Sequence, residues 1–213
     1  MTYIPLRKDL TETSQKCNFC PKHLRSLKAY VLKNTKTGSI VFSGPECAKK
    51  HLAEGFSLKG IPDLTKYTSA TGSRISGGTG GNGGQSTESS DEKRAIEYLE
   101  LRERKLTNEI NCSWEVLTNF YRVYLEGNLT EQDIRSINNI ERKAPDSLKL
   151  DTLQKCYNYL FWIDVGIEKL DEDKRQFLKS IRNIVRERKQ LTPKQFEAMN
   201  KWLENIDGVP QLK

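Results

Sequence analysis

Residues 69–90 read Ser-Ala-Thr-Gly-Ser-Arg-Ile-Ser-Gly-Gly-Thr-Gly-Gly-Asn-Gly-Gly-Gln-Ser-Thr-Glu-Ser-Ser. This run limits what the chain can fold into. It offers almost nothing apolar to bury, and its glycines lose much backbone entropy on ordering. A single hydrophobic core cannot be threaded through it, so it reads as a flexible linker. The chain then divides into residues 1–68, the linker 69–90, and residues 91–213. The glycines do not form a phosphate-binding loop: no Gly-Lys-Ser/Thr follows them and no apolar strand leads into them.

The N-terminal part contains both histidines and three of the five cysteines. Cys17-Asn18-Phe19-Cys20 is a tight knuckle whose two thiolates can reach one ion. Leu27–Leu32 and Ile40–Phe42 are β-branched and aromatic runs around the polar, Gly-ended turn Asn34-Thr35-Lys36-Thr37-Gly38, which predicts a β-hairpin. Gly44-Pro45-Glu46-Cys47-Ala48-Lys49-Lys50-His51 then breaks the strand and opens a helix, with Pro45 suited to its first turn. Cys47 and His51 are four residues apart and share one helix face. The positive end of that helix favours a thiolate at Cys47.

Knuckle, hairpin, then a helix with two ligands resembles the treble-clef zinc fingers, over about residues 14–56. The segment Gly44–Ala48 is similar to the second half-site of such fingers in phage and bacterial proteins of unassigned role. The resemblance implies Zn²⁺ held by Cys17, Cys20, Cys47 and His51, where the last position is often Cys. It also implies a phage or mobile-element origin. His23, three residues past Cys20, is the rival fourth ligand. Closed four-ligand sites are structural, and the ion would supply folding energy that so short a segment lacks in core. Cys112 and Cys156 have no ligand spacing and read as buried small apolar residues.

Charge is placed unevenly. Residues 1–69 have 12 Lys and Arg against 5 Asp and Glu, while the remainder has 23 of each, so the whole excess of +7 lies with the finger. A basic domain attracts polyanions, most often nucleic acid. The residues that would make the contact are Lys22, Arg25, Lys28, Lys49 and Lys50, with Phe19 and Tyr30 stacking on exposed bases. Phe19 and Tyr30 each also have a core reading. The pattern suits phosphate contact with little base reading.

Residues 91–213 contain only three glycines and show apolar spacing near 3.6, the mark of a helical domain. Helices are expected at 91–109, 113–126, 130–143, 149–168, 171–188 and 193–205. Ser113, Thr130, Asp151, Asp171 and Thr192 mark the starts. Two stretches look alike, Val116–Ile140 and Phe177–Trp202, each a helix, a turn with Leu-Thr, and a second helix. Arg175, Lys179, Arg182, Arg186 and Lys189 share a helix face, either a solvated outer surface or a second phosphate-contacting stripe.

The expected fold class is therefore α+β: a small zinc finger of β-hairpin and helix, a flexible linker, and an all-α domain with two helix-turn-helix units. The expected role is nucleic-acid binding, DNA before RNA, in replication, recombination or transcription control. The alternative is an adaptor that binds a host or phage protein through the helical domain. Neither a catalytic triad, nor His-Glu-x-x-His, nor paired metal carboxylates are present, so no enzyme and no small-molecule substrate are expected. No apolar run of membrane length and no secretory leader are seen. This places the chain in the cytoplasm, the host's if viral, where thiols stay reduced.

Overall fold

A computed structural model describes residues 2–12, 15–24, 26–68 and 87–213, without the side chains of 87–89. Its fold is α+β, in two compact units, Met1–Lys66 and Tyr67–Lys213. Tyr67 and Thr68, placed with the N-terminal part by sequence, belong to the second unit. There Trp162 Nε1 donates to Thr68 Oγ1 at 2.9 Å, and Lys213 N–H donates to the Tyr67 carbonyl at 3.0 Å. The expected linker lies outside the described residues except for residues 87–90, which open a helix. No helix among the described residues is long and apolar enough to cross a membrane.

The first unit is built on an antiparallel sheet of order β1-β2-β3: β1 Tyr3–Leu10, β2 Lys28–Asn34 and β3 Ile40–Ser43. The expected hairpin is β2–β3. Its turn is held by Asn34 Oδ1, which accepts from the N–H groups of Lys36 and Thr37 at 2.9 and 3.0 Å. Gly38 adopts φ +71°, a conformation that favours glycine. β1 was not anticipated. It runs along the other edge of β2 from Tyr3↔Asn34 to Leu10↔Lys28, with an irregularity between Pro5 and Arg7. An edge strand is where a proline is tolerated. Helix α1, Pro45–His51, follows β3 after Gly44, and Pro45 occupies its first turn as expected. Its far end returns to β1, where Ala53 N–H donates to the Tyr3 carbonyl at 2.8 Å.

The second unit is helical: α2 Thr87–Leu99, α3 Thr107–Ile110, α4 Glu115–Glu126, α5 Glu131–Lys143, α6 Leu150–Lys169, α7 Gln176–Arg188 and α8 Pro193–Leu203. The single helix expected over 91–109 is broken: α2 continues into a π-helical segment, Glu100–Lys105, before α3. Thr130 and Thr192 form capping boxes with Asp133 and Gln195. Ser113 does not cap; Trp114 takes the N-cap position. Glu103 of the π segment accepts instead from Ser113 Oγ and Thr118 Oγ1, both at 2.7 Å, and from Trp114 N–H at 3.3 Å. Asp151 falls inside α6, and Asp171 precedes only a 3-10 turn, Glu172–Lys174.

Helix α6 forms the centre of this unit, with 13 of its 20 residues buried, including Trp162 and Ile163. A helix apolar on most sides is a core helix. Its Gly166 is packed closely: an added Cβ would lie 3.0 Å from both Leu178 Cδ1 and Leu203 Cδ2, and 3.3 Å from Ile206 Cδ1. Three neighbours from three segments cannot all give way at once. Gly166→Ala is therefore expected to destabilise despite the helix propensity of alanine. Overpacking costs about 1–3 kcal/mol against roughly 1 kcal/mol gained. Thermal unfolding should show a midpoint lower by about 2–4 °C for each kcal/mol of net loss; an unchanged or raised midpoint would show that α7 and α8 yield freely.

Candidate metal centre

The knuckle is shaped by its own backbone and anchored to the sheet. Cys17 N–H donates to the Lys22 carbonyl at 2.9 Å. Asn18 grips the end of β3 twice: its N–H donates to the Phe42 carbonyl at 2.9 Å, and its Oδ1 accepts from Phe42 N–H at 2.7 Å. Cys47 follows five residues later, in the first turn of α1. The result is a cluster in which the sulfurs of Cys17, Cys20 and Cys47 all lie within 4.8 Å of one another. Thiolates around one tetrahedral ion stand about 3.8 Å apart for metal–sulfur bonds near 2.3 Å. The three thiols can therefore hold a metal ion with little movement. Cys17 is buried, while Cys20 and Cys47 are half-exposed.

Their protonation differs. Burial pushes the Cys17 thiol up. Hydrogen bonds from the N–H groups of Phe19 and Gly44, with the Cys20 and Cys47 thiols, outweigh this and leave it below its ordinary value. Cys47 is pushed up to about 11, by burial first and then by the neighbouring Cys20 and Cys17. One of the three thus ionises early and another resists.

His51 does not join the thiols. Its ring stacks on Phe19, centroids 4.1 Å apart at 15°, and meets Tyr3 edge-on at 6.5 Å. The cause is β1, which the sequence reading missed: it places Tyr3 beside the knuckle, 5.0 Å from Phe19, and builds an aromatic trio. Of the four expected ligands, the structure gathers Cys17, Cys20 and Cys47, and it holds His51 one turn along the helix in an aromatic contact. His23, the rival, is exposed and sits in a bridge with Lys16.

The residues expected to touch nucleic acid divide as well. Phe19 packs against two core clusters of this unit, and Tyr30 against the one around Tyr3, Leu32 and Ala48. One face of Phe19 is covered by His51, and the ring, expected either to stack on bases or to join the core, is partly buried in these packing contacts. Lys22, Lys49 and Lys50 are exposed, and Lys49 lies 3.4 Å from Glu46. Lys28 is half-buried on β2 and already engaged. Arg25 lies outside the described residues.

In the second unit Cys112 and Cys156 are buried, as expected. Two residues of the basic stripe of α7 are engaged within the unit, while Lys179 is exposed. Arg182 binds Asp164 at 2.5 Å and Glu109 at 3.0 Å, and Arg186 Nε donates to the Glu109 carbonyl at 3.1 Å. These arginines tie α7 to α6 and α3.

Compared with known protein families, curated proteins and solved structures, the chain matches none.

Asn18 and Gly44 carry roles that the cysteine spacing did not reveal, one through a side-chain amide and the other through a backbone N–H. Capture of a metal requires Cys47, raised to about 11, to release its proton. Affinity should therefore increase with pH across the neutral range, by about tenfold per pH unit for each proton released. Competition titration with a chromophoric chelator at several pH values checks this. An affinity independent of pH would mean that the thiols are already ionised.

Proposed function

We propose that the Met1–Lys66 unit is a zinc finger of treble-clef type that docks on nucleic acid, DNA before RNA. The convergence of the knuckle thiols with Cys47 carries the reading. The order of parts supports the treble-clef type: a knuckle at Cys17–Cys20, the β2–β3 hairpin, then α1 bearing Cys47. Thiolate-rich sites favour Zn²⁺ among common divalent ions. The ion would brace the fold, since the core clusters described around the knuckle are small. The chain acts by binding, in the cytoplasm.

Positive charge supports the nucleic-acid part. The excess of +7 falls within this unit, and three thiolates offset the ion and leave most of it. Lys22, Lys49 and Lys50 are exposed for phosphate contact. With Phe19 and Tyr30 committed to packing, binding rests on charge rather than stacking, and sequence preference should be weak.

Fluorescence anisotropy on single- and double-stranded oligonucleotides tests this. Affinity should fall steeply with salt, and Lys22→Ala, Lys49→Ala and Lys50→Ala should each reduce the log–log slope by about 0.7–0.9. Cys47→Ser should lose both the ion and the binding. No binding at low salt would end this reading.

A second reading is favoured by α4, which buries only Leu117 and leaves Trp114, Val116 and Leu125 47%, 39% and 58% exposed. Exposed large apolar side chains on one short helix suit a protein partner. The chain would then be a zinc-stabilised adaptor. Partners that survive nuclease treatment and are lost with Leu125→Glu would favour it over direct nucleic-acid binding.

A further inference from the structure

The chain has five cysteines and two histidines, and all seven lie among the described residues. Every cysteine and histidine of the sequence is therefore placed. Three thiols converge, and no His, Asp or Glu among the described residues joins them. Cys112 and Cys156 are buried inside the other unit. His23 is exposed at the bridge with Lys16.

His51 is the nearest alternative in sequence, and its ring is already in use. It lies flat on Phe19, the residue between the two knuckle cysteines, and edge-on to Tyr3. Turning it toward the sulfurs would uncover Phe19 and open the cluster that joins the knuckle to β1 and α1. Cys20 and Cys47 are only partly buried. A divalent ion on three thiolates has one tetrahedral position left and a net charge of −1.

We infer that the three-thiol site keeps an open fourth coordination position that takes a monodentate imidazole-type or thiolate-type donor from outside the chain, while His51 serves as an aromatic brace. This rests on the metal reading proposed above. An open position is the mark of an exchangeable site rather than a sealed one. It would let the finger be closed by a ligand of a bound partner, or by a small thiol when none is present. The step is coordination alone, with no change of oxidation state.

Cobalt(II) tests this on the full-length reduced chain, because its visible bands report coordination number and its near-ultraviolet bands report thiolate ligation. One equivalent is added to wild type, His51→Ala and His51→Phe, the last retaining a ring against Phe19. All three are expected to share the same bands and to bind cobalt within about threefold of one another. Imidazole, and separately a small thiol, should shift the visible bands saturably in each. Bands that ignore both additives, or a loss of cobalt affinity beyond about tenfold in both variants, would overturn the inference and restore His51 or another closed fourth ligand. A wild-type chain that takes up no stoichiometric cobalt would overturn the metal reading itself, and this inference with it.

Discussion

The paired hydrogen bonds between Asn18 and Phe42 are the constraint on which the N-terminal unit depends. The knuckle is local in sequence and Cys47 is far from it, so something must bring them together. Asn18 does so by clasping Phe42 near the end of β3, donating its backbone N–H and accepting through its side-chain Oδ1. From Phe42 the chain needs only Ser43, Gly44 and Pro45 to turn into α1 and deliver Cys47. Phe19 then has a floor to pack on and contributes to two small clusters. Units of this size bury little surface on folding. The thiol cluster sits where an added ion would reinforce these same connections.

Features set by local chemistry were legible in the sequence. The Asn34–Gly38 turn, Pro45 at the start of α1, and the capping boxes at Thr130 and Thr192 each depend on residues within a few positions of one another. What was missed depends on distant partners. β1 reads Tyr-Ile-Pro-Leu-Arg-Lys-Asp-Leu, with a proline and three charges that argue against a strand. It forms because β2 offers a free edge and because Arg7 and Asp9 pair with each other at 2.9 Å while buried. Once β1 is in place, Tyr3 reaches Phe19 and His51. The clustering of Cys17, Cys20 and Cys47 was visible from spacing alone. The fate of His51 was not, since it turns on a tyrosine 48 positions earlier. Ser113 and Asp151 have the chemistry of caps, yet a glutamate from another element serves one helix start, and the other begins earlier than its aspartate.

The two look-alike stretches of the second unit show how one pattern can be put to different uses. Both corners pass through a left-handed residue before the Leu-Thr pair, Gly127 in the first and Lys189 in the second. In the second copy α7 buries Leu178, Ile181 and Val185, facing α6 with its close-packed Gly166. In the first copy α4 buries Leu117 alone. The equivalent helix thus holds the core in one copy and stands at the surface in the other. Arg182 and Arg186, which looked like a charged exterior, are spent on carboxylates and carbonyls of neighbouring helices.

The π segment has a further consequence. A π turn is what remains when a helix accommodates one surplus residue. Its freed carbonyl at Arg102 is taken up by Thr107 Oγ1 at 2.6 Å and by the Cys112 thiol at 3.3 Å, while the Arg102 guanidinium reaches back to the Cys112 carbonyl. Each residue of an ordinary helix advances the spiral by about 100°. Excising a single residue here would therefore swing Glu103 away from α4 and leave the start of that helix without an acceptor. The surplus residue acts as an indexing pin: it sets the rotational phase at which the surface helix leaves the body of the domain.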